Sequence, residues 1–405
     1  MLVHKAYRYE LDPNNCQRTA LLQHAGTARF VYNWGLEQRI SLFKNNEGKD
    51  RFTDAMKQHK LLTGLKKSQF YWMYECSKCV PQEALRNLDR AFKNFYRGLK
   101  GEQRVGFPRF KKKGVRDSFR LYGNIRVDER KIKLPRIGKI RIKEHRFRYH
   151  KGRILSATIR RRADRWFVSI DVVEEIPNPL FADEKEVGVD LGVKTLATLS
   201  DGTTFANPQA LERQLKKIRR FSRSISRKKR GSKNREKEKI RLARLYLKIF
   251  NIRRDTLHKL TTYLAKNHDR IVIEDLGISG MMRNRRLARA IADVGWYEFR
   301  KQLEYKCRWY GADVVVVPRT FPSSKMCSNC GCKKRDLLLS QREYVCESCG
   351  LRIDRDLNAA LNLVAVSLPE TQTACGEDVS LLGDPWGMIK KQTSEKQEPN
   401  INPKT

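Results

Sequence analysis

Residues 346–360 read Cys-Glu-Ser-Cys-Gly-Leu-Arg-Ile-Asp-Arg-Asp-Leu-Asn-Ala-Ala, so a Cys-x2-Cys pair runs directly into an acidic helix start. A second such pair, Cys327 and Cys330, precedes it, with 15 residues between the two pairs. Two tight knuckles at this spacing supply four thiolates in the tetrahedral arrangement that Zn2+ prefers. Cys332 could compete for the metal, but the paired spacing favours the other four. We expect a ribbon over residues 325–351 that holds one structural Zn2+ through Cys327, Cys330, Cys346 and Cys349.

Two aspartates begin the helix that follows the ribbon, and their expected roles differ. Asp354 suits an N-cap, because its side chain can accept hydrogen bonds from backbone N–H groups two or three residues further on. Asp356 then lies in the first turn, where its carboxylate is free to bind a metal ion. We therefore rank Asp356 as the metal ligand and Asp354 as the cap.

Two further carboxylates end apolar segments far upstream of the ribbon. Asp190 lies in the run Val187-Gly-Val-Asp-Leu191, and Glu274 lies in Ile271-Val-Ile-Glu-Asp275, each near the end of an expected strand. An ionised side chain in such a run is costly to bury unless a cation compensates it. The order strand, hairpin, helix, strand, helix, strand, helix predicts an α/β, RNase H-like sheet over residues 184–368, with the ribbon inserted before the last helix. In such a sheet Asp190 and Glu274 lie on adjacent strands.

The expected chemistry of this acidic trio is phosphodiester cleavage. Three carboxylates can hold two Mg2+ or Mn2+ ions about 3.5 to 4 Å apart, one activating water and the other steadying the leaving oxygen. Hard cations prefer oxygen ligands, and no histidine lies near the three acids in sequence. Asp190, Glu274 and Asp356 therefore predict a metal-dependent nuclease.

The composition favours a nucleic-acid partner. The chain has 85 Lys and Arg against 45 Asp and Glu, a formal charge of +40, in 405 residues. The electrostatic field of such a charge attracts polyanions such as nucleic acids. The alternatives are a solvated basic surface, a ribosomal protein or a membrane-associated protein. Ribosomal proteins are usually shorter, and neither a secretory leader nor an apolar run of the roughly 20 residues that a membrane span needs is found. We expect a soluble, cytoplasmic protein with no membrane partner.

Cysteine usage points to a reducing compartment, because the ten cysteines are clustered rather than spread as a disulfide framework. Four of them form the two ribbon pairs. A further pair, Cys76 and Cys79, has no partner pair nearby. It gives little support to a second metal or redox site.

The rest of the chain divides by its periodicity. Residues 1–10 and 101–183 alternate as strands and predict a small β-barrel, while residues 11–100 read as helices. A basic helical hairpin with its bend at Gly231-Ser232 is predicted over 209–265, since residues 216–254 contain 18 Lys or Arg and only two Glu. Two apolar stripes would hold its arms together: Leu211, Leu215, Ile218 and Ile225 in one arm, and Leu242, Leu245, Ile249 and Ile252 in the other. A solvated face is the ordinary explanation of such charge, but one-sided charge favours a nucleic-acid track. Residues 369–405 have little apolar pattern and predict a disordered tail.

The segment between the helical block and the strands alternates aromatics with cations. It reads Phe107-Pro-Arg-Phe-Lys-Lys-Lys-Gly114. Such a segment could stack on a base or grip a phosphate backbone. A solvated turn between strands fits the composition equally well.

Taken together, these motifs resemble the TnpB (OrfB) family, accessory nucleases of insertion-sequence transposons and relatives of compact type V CRISPR effectors. The resemblance spans nearly the whole chain. It rests on segments at both ends and in the middle: Gly26–Trp34, Ala91–Phe95, Phe107–Lys113, Gly188–Gly192, Ile273–Leu276, Cys327–Gly331, Cys346–Gly350, Asp354–Ala360 and Cys375–Glu377.

The resemblance implies an RNA-guided DNA endonuclease. In that family a barrel called the wedge domain and a helical recognition domain hold a guide RNA from the transposon end. A single RuvC-like site then cuts double-stranded target DNA next to a short motif, while base pairing chooses the sequence. Carried onto this chain, the catalytic acids are Asp190, Glu274 and Asp356. The wedge is 1–10 with 101–183, the recognition domain 11–100, and the expected state is a monomer with one RNA.

Two other functions fit parts of the pattern. A transposase that joins DNA ends directly also uses RNase H-like acids. A guided binder that does not cut would keep the basic surface and the ribbon, but such proteins normally lose one of the acids. All three acids are present here, so the nuclease is the favoured hypothesis.

Overall fold

The computed structural model describes most of the chain in seven ranges. The predicted tail, 369–405, and its Cys375 motif lie outside them. Among the helices of these ranges, none combines the length and the apolar composition needed to cross a membrane. The ranges are 1–44, 53–101, 105–128, 130–144, 152–177, 185–338 and 341–367.

Two compact units are present, and each is built from separate stretches of the chain. The first contains Met1–Lys185, Asn207–Asp269 and Ile278–Asp313. The second contains Glu186–Ala206, Arg270–Gly277 and the chain from Val314 onward. The three acids and the four ribbon cysteines all belong to the second unit.

An antiparallel seven-stranded sheet forms the centre of the first unit, in the order β2-β6-β7-β1-β5-β4-β3. The first strand pairs with β7 along its length and with β5 at its end, so the amino terminus joins the strands that follow residue 118. Closure of this sheet into the predicted β-barrel stays a prediction. The strands are β1 Leu2–Asp12, β2 Ser118–Leu121, β3 Arg126–Asp128, β4 Lys131–Leu134, β5 Gly138–Ile142, β6 Arg153–Arg162 and β7 Arg165–Glu175.

Three long helices cover one face of this sheet and share its core. They are α1 Asn15–Lys44, α2 Ala55–Ser68 and α3 Cys79–Leu99. Gly35 of α1 lies so close to α3 that a β-carbon there would be 2.8 Å from Leu85 Cδ2. The helices and the sheet therefore bury one continuous set of apolar side chains, among them Leu21, Leu36, Leu88, Leu121, Ile159 and Val168.

The basic hairpin has the helices and the bend that the sequence predicts. Helix α4 spans Leu215–Arg227 and α5 spans Lys233–Asn267. Gly231 adopts φ +82°, and the Ser232 side chain accepts a hydrogen bond from the Arg235 backbone N–H at 3.2 Å as the N-cap of α5. The arms pack through both predicted apolar stripes, including Leu211, Ile218, Leu242, Leu245, Ile249 and Ile252. Three further helices complete the first unit: α6 Ile278–Met281, α7 Ala288–Val294 and α8 Trp296–Tyr310.

The second unit contains a five-stranded sheet in the order β10-β9-β8-β11-β12 and a two-stranded ribbon. Strand β11 pairs with β8 in parallel, with Val187 opposite Ile271 and Val189 opposite Ile273. The prediction that Asp190 and Glu274 end adjacent strands is confirmed. The elements are β8 Glu186–Asp190, β9 Thr195–Leu199, β10 Thr204–Ala206, β11 Arg270–Glu274, β12 Asp313–Val317, β13 Glu343–Val345, β14 Arg352–Asp354 and α9 Arg355–Ser367.

The last helix lies directly on the central strand. A β-carbon at Gly188 would be only 2.0 Å from the Ala360 carbonyl oxygen. Only glycine permits that approach. The same helix buries Leu363 against Val272 and Val317, which brings its amino-terminal acids to the strand ends.

Candidate active site and metal centre

Asp190 and Glu274 are the last residues of two neighbouring parallel strands. The apolar residues before them are fully buried: Val187, Val189, Ile271, Val272 and Ile273 are at most 1 % exposed. Both carboxylates are half-buried. Because parallel strands end at the same edge of a sheet, the two acids point to one locality.

The electrostatics of Asp190 show that the third predicted acid lies in the same locality. Burial, followed by repulsion from Asp356 and then from Glu274, raises the pKa of Asp190 to about 7. Arg355 acts in the opposite direction and offsets part of this repulsion. The fold therefore brings the acids of three distant segments within electrostatic range of one carboxyl group. Among the described residues, their oxygens do not form a group whose members all lie within 4.8 Å of one another.

Asp354 caps α9 as the sequence predicts. Asp354 Oδ1 accepts hydrogen bonds from the backbone N–H groups of Asp356 at 2.9 Å and Leu357 at 3.1 Å. It is the helix cap. Asp356, one residue into the helix, is half-buried and near Asp190.

Two neighbours of the acids were not anticipated from the sequence. Burial raises the pKa of the Glu274 carboxyl, and the nearby Ser323 side chain acts in the opposite direction. Arg319 donates from Nη2 to Asp275 Oδ2 at 2.6 Å, next to Glu274 in the chain. Both lie in a loop after β12 whose composition carries no catalytic signal, so only the fold reveals them.

The four predicted cysteines meet in one cluster. Their sulfur atoms all lie within 4.8 Å of one another, with 3.6 Å between Cys327 and Cys349 and 3.6 Å between Cys330 and Cys346. Four sulfurs about 2.3 Å from a tetrahedral Zn2+ are about 3.8 Å apart. The donor set and its spacing therefore fit one zinc ion.

Competing cysteines take other roles. Cys332 contributes its backbone oxygen, which accepts from the Cys327 N–H at 3.0 Å, and its sulfur is not part of the cluster. Cys76 is buried with its sulfur 3.3 Å from Thr27 Oγ1, and burial raises the pKa of its thiol. Among the described residues, Cys76 and Cys79 belong to no group of potential metal ligands.

A clamp of two asparagines joins the ribbon to α9. Asn358 Nδ2 donates to the Met326 carbonyl at 2.6 Å, and its Oδ1 accepts from the Ser328 N–H at 2.9 Å. Asn362 Nδ2 donates to the Ser323 carbonyl at 2.7 Å. Both amides are buried. Two asparagines four residues apart on an otherwise apolar helix face were a signal for this contact, because buried amides require partners.

Three known protein families or domains match separate parts of the chain, which together make up more than half of it. Residues 168–285 match the IS605 OrfB family, described as "Probable transposase". Residues 296–363 match a domain described as "Cas12f1-like, TNB domain". Residues 1–49 match an OrfB helix-turn-helix domain, although the described part of that range forms β1 and the single helix α1.

Full-length relatives also match. A protein of Escherichia coli (strain K12), named "Putative RNA-guided DNA endonuclease InsQ", is 35% identical, covering 98% of this chain and 97% of the relative. A Streptomyces pristinaespiralis protein with the same description of its activity is 36% identical over 93% of this chain and 92% of its own. A solved Cas12f1–sgRNA–target DNA complex shares the fold at TM-score 0.52 and 14% identity, covering 86% of this chain and 82% of that one.

Proposed function

The chain belongs to the TnpB (OrfB) family of insertion-sequence proteins, and on that premise we propose that it is an RNA-guided DNA endonuclease. The single observation that carries this proposal is the gathering of Glu274 and Asp356 around Asp190 in the second unit. A chain that only bound nucleic acid would have no use for a repelled, half-buried carboxylate, which costs stability unless a cation offsets it.

The catalytic residues in this proposal are Asp190, Glu274 and Asp356, on an RNase H-like (RuvC-like) sheet. Their donors are all carboxylate oxygens, which suits Mg2+ or Mn2+. Two such ions would activate water and stabilise the leaving oxygen of a phosphodiester.

The surrounding residues hold this donor set in place. Asp190 has to lose its proton to serve as a ligand. Ser323 lies beside Glu274 and favours the charged form of its carboxyl, and Asp354 fixes the helix turn that carries Asp356. One structural Zn2+ on Cys327, Cys330, Cys346 and Cys349 would hold the ribbon against this turn.

The partners in this proposal are a guide RNA from the transposon end and double-stranded target DNA. The relatives' descriptions, the charge of +40 and the exposed cations of the hairpin, such as Lys216, Lys217, Arg219 and Arg220, support it. A transposase that joins DNA ends without a guide is the second candidate, favoured by the "Probable transposase" description of the matching family.

The test uses the full chain purified with its co-expressed RNA, supercoiled DNA carrying a matching target, and Mg2+. We expect Asp190→Ala to reduce cleavage at least about 1000-fold, because it removes a ligand on which the chemistry depends, while the affinity for RNA is unchanged. Asp201→Ala is the matched control. It removes one carboxylate of the same unit, which only accepts a turn hydrogen bond from the Thr203 N–H at 2.8 Å, and should cut normally.

Three results would count against the proposal. Cleavage by the Asp190→Ala protein at the rate of the control would exclude Asp190 from the chemistry. Loss of RNA binding together with cleavage would assign it a folding role. Strand transfer on transposon ends without RNA would favour the transposase.

A further inference from the structure

The face of the seven-stranded sheet that turns away from the core carries arginines in register. One row crosses four adjacent strands as Arg120, Thr158, Ser169 and Arg8, each paired with the next. Their neighbours along the strands, such as Phe119 and Ile159, are buried in the core. Because side chains alternate between the faces of a strand, the row lies on the opposite side.

This face forms the floor of a cavity of about 380 Å3, a size typical of small-ligand sites. Helix α5 contributes Arg254 to its wall. Five guanidinium groups from four elements line it, together with Phe167 and a single carboxylate, Asp171: they belong to Arg8, Arg120, Arg160, Arg162 and Arg254.

Among the described residues that line the cavity, one carboxylate faces five guanidinium groups. Asp171 Oδ2 accepts from Arg120 Nη2 at 2.6 Å and from Ser156 Oγ at 2.6 Å. Its ion pair among the described residues is with Arg120. In the described part of the chain the other four guanidiniums have no ion pair within 4.0 Å. Arg8 Nη2 and Arg120 Nε are buried, and neither has a hydrogen-bond partner among the described residues.

Mutual repulsion is visible at Arg8. Burial, followed by the positive charges of Arg162 and Arg254, lowers the pKa of Arg8 to about 10. Aromatic rings hold two of these guanidiniums in place, with Arg8 Cζ 4.2 Å from the Phe167 ring centroid and Arg162 Cζ 4.4 Å from that of Phe250. Buried donors that lack acceptors are costly, so this arrangement indicates an anionic ligand.

We propose that this arginine cavity binds phosphate groups of the guide RNA where its strand bends sharply. This inference rests on the proposed function. Several guanidiniums converging on one concavity need several negative charges close together. A sharply bent RNA strand crowds its phosphates, whereas duplex DNA spaces them regularly along a rod too wide to enter. The Thr158 and Ser169 hydroxyls on the floor can also bond to ribose 2′-OH groups, which DNA lacks.

The test compares two double variants that each remove two positive charges from the first unit. Arg162→Gln with Arg254→Gln changes the cavity. Arg126→Gln with Arg141→Gln changes exposed arginines of β3 and β5 that do not line it. We expect the cavity variant to bind the copurified RNA roughly tenfold or more weakly, and the control less than about twofold more weakly.

Two further probes identify the ligand. Inorganic pyrophosphate should raise the melting temperature of the RNA-free wild-type and control proteins but not that of the cavity variant. The cavity variant should also lose more affinity for the folded RNA than for oligo(U) of the same length. Its own melting temperature without ligand should be unchanged or higher, because repulsion is relieved, which excludes misfolding as the cause.

Each failure has a distinct meaning. If both double variants lose the same affinity for RNA, the overall positive charge of the protein holds the RNA and the proposed cavity site is wrong. If the cavity variant loses more affinity for duplex DNA than for RNA, the assignment of RNA as the ligand is wrong. If it loses the same affinity for folded RNA as for oligo(U), the cavity does not recognise a bend in the strand. If the wild-type complex binds RNA through the cavity but does not cut target DNA, the proposed function fails while the phosphate site stands.

Discussion

Asp190 is a half-buried carboxyl group whose pKa is raised by three features of its surroundings. Burial, Asp356 and Glu274 each disfavour its charge and, against the opposing effect of Arg355, raise its pKa to about 7. A carboxylate in this state binds a divalent cation more readily than a proton only when the pH is high enough to remove the proton. The site is therefore tuned by pH as well as by metal concentration.

This environment predicts the pH dependence of the metal-free protein. The pKa of Asp190 is raised above its unfolded value near 4, so above pH 7 its charge destabilises the fold, and the cost disappears as the pH falls from 7 to 4. Asp190→Asn should therefore stabilise the protein at pH 8 by roughly 2 kcal/mol, less than the full shift because the acids titrate together. Below pH 4 the two proteins should unfold alike.

Denaturant unfolding in buffer prepared without Mg2+ or Mn2+, repeated from pH 4 to 8, measures this difference. Asp201→Asn is the control, since that exposed turn residue lies away from the other acids. A constant difference between Asp190→Asn and wild type across the pH range would mean that Asp190 is not repelled by its neighbours.

At the scale of elements, the packing of α9 on β8 decides whether the third acid reaches the other two. The contact leaves no space at Gly188, where a β-carbon would meet the Ala360 carbonyl at 2.0 Å. Backbone atoms cannot move aside as a flexible side chain can. A methyl group at this position has to push the helix, and with it Asp356, away from the strand.

We expect Gly188→Ala to cost roughly 2 to 3 kcal/mol of stability, as overpacked cores do, and to reduce cleavage sharply. Gly64→Ala in α2 is a matched control, because nothing lies within 4 Å of its β-carbon. It should stabilise the protein by roughly 0.5 to 1 kcal/mol, since alanine is the better helix former. Chemical denaturation and the cleavage assay read both effects. Full activity in Gly188→Ala would show that the helix position is not critical.

The ribbon and α9 act together through the buried Asn358 and Asn362 amides. Zinc removal should therefore lower the melting temperature and also loosen the start of the helix, because metal binding contributes folding free energy to such small ribbons. Cys327→Ser should lose the bound zinc that elemental analysis detects in the wild type, while Cys332→Ser should keep one zinc per chain. An unchanged melting temperature after zinc is stripped would contradict the ribbon assignment.

At the scale of the whole molecule, the charge of +40 sets how strongly and how selectively nucleic acid is held. Electrostatic binding releases counterions, so its affinity falls as salt rises. If the protein contacts six to ten phosphates, the affinity for RNA should fall about 1000-fold to 100,000-fold between 50 and 200 mM salt. Filter binding over that range measures the slope. An affinity independent of salt would mean that shape and hydrogen bonding, rather than charge, hold the RNA.

The sequence by itself determined the features that depend on short spacings. The two cysteine pairs predicted the cluster of four sulfurs, and the position of Asp354 predicted the helix cap. The apolar stripes predicted both arms of the hairpin. Each of these follows from residues a few positions apart, whose geometry is fixed by local backbone structure. The pairing of β8 with β11 could also be predicted, because buried parallel strands have a distinctive composition.

Only the tertiary structure decided which side chains from distant segments meet. The sequence does not tell that Ser323 lies beside Glu274, that Asn362 holds the ribbon, or that Arg8 and Arg254 share a cavity. Such contacts depend on strand register and on the placement of helices, where a shift of one residue turns a side chain to the other face of the sheet. The pKa of Asp190 likewise depends on distances that folding alone sets, because Coulomb interactions fall with separation in space and not along the chain.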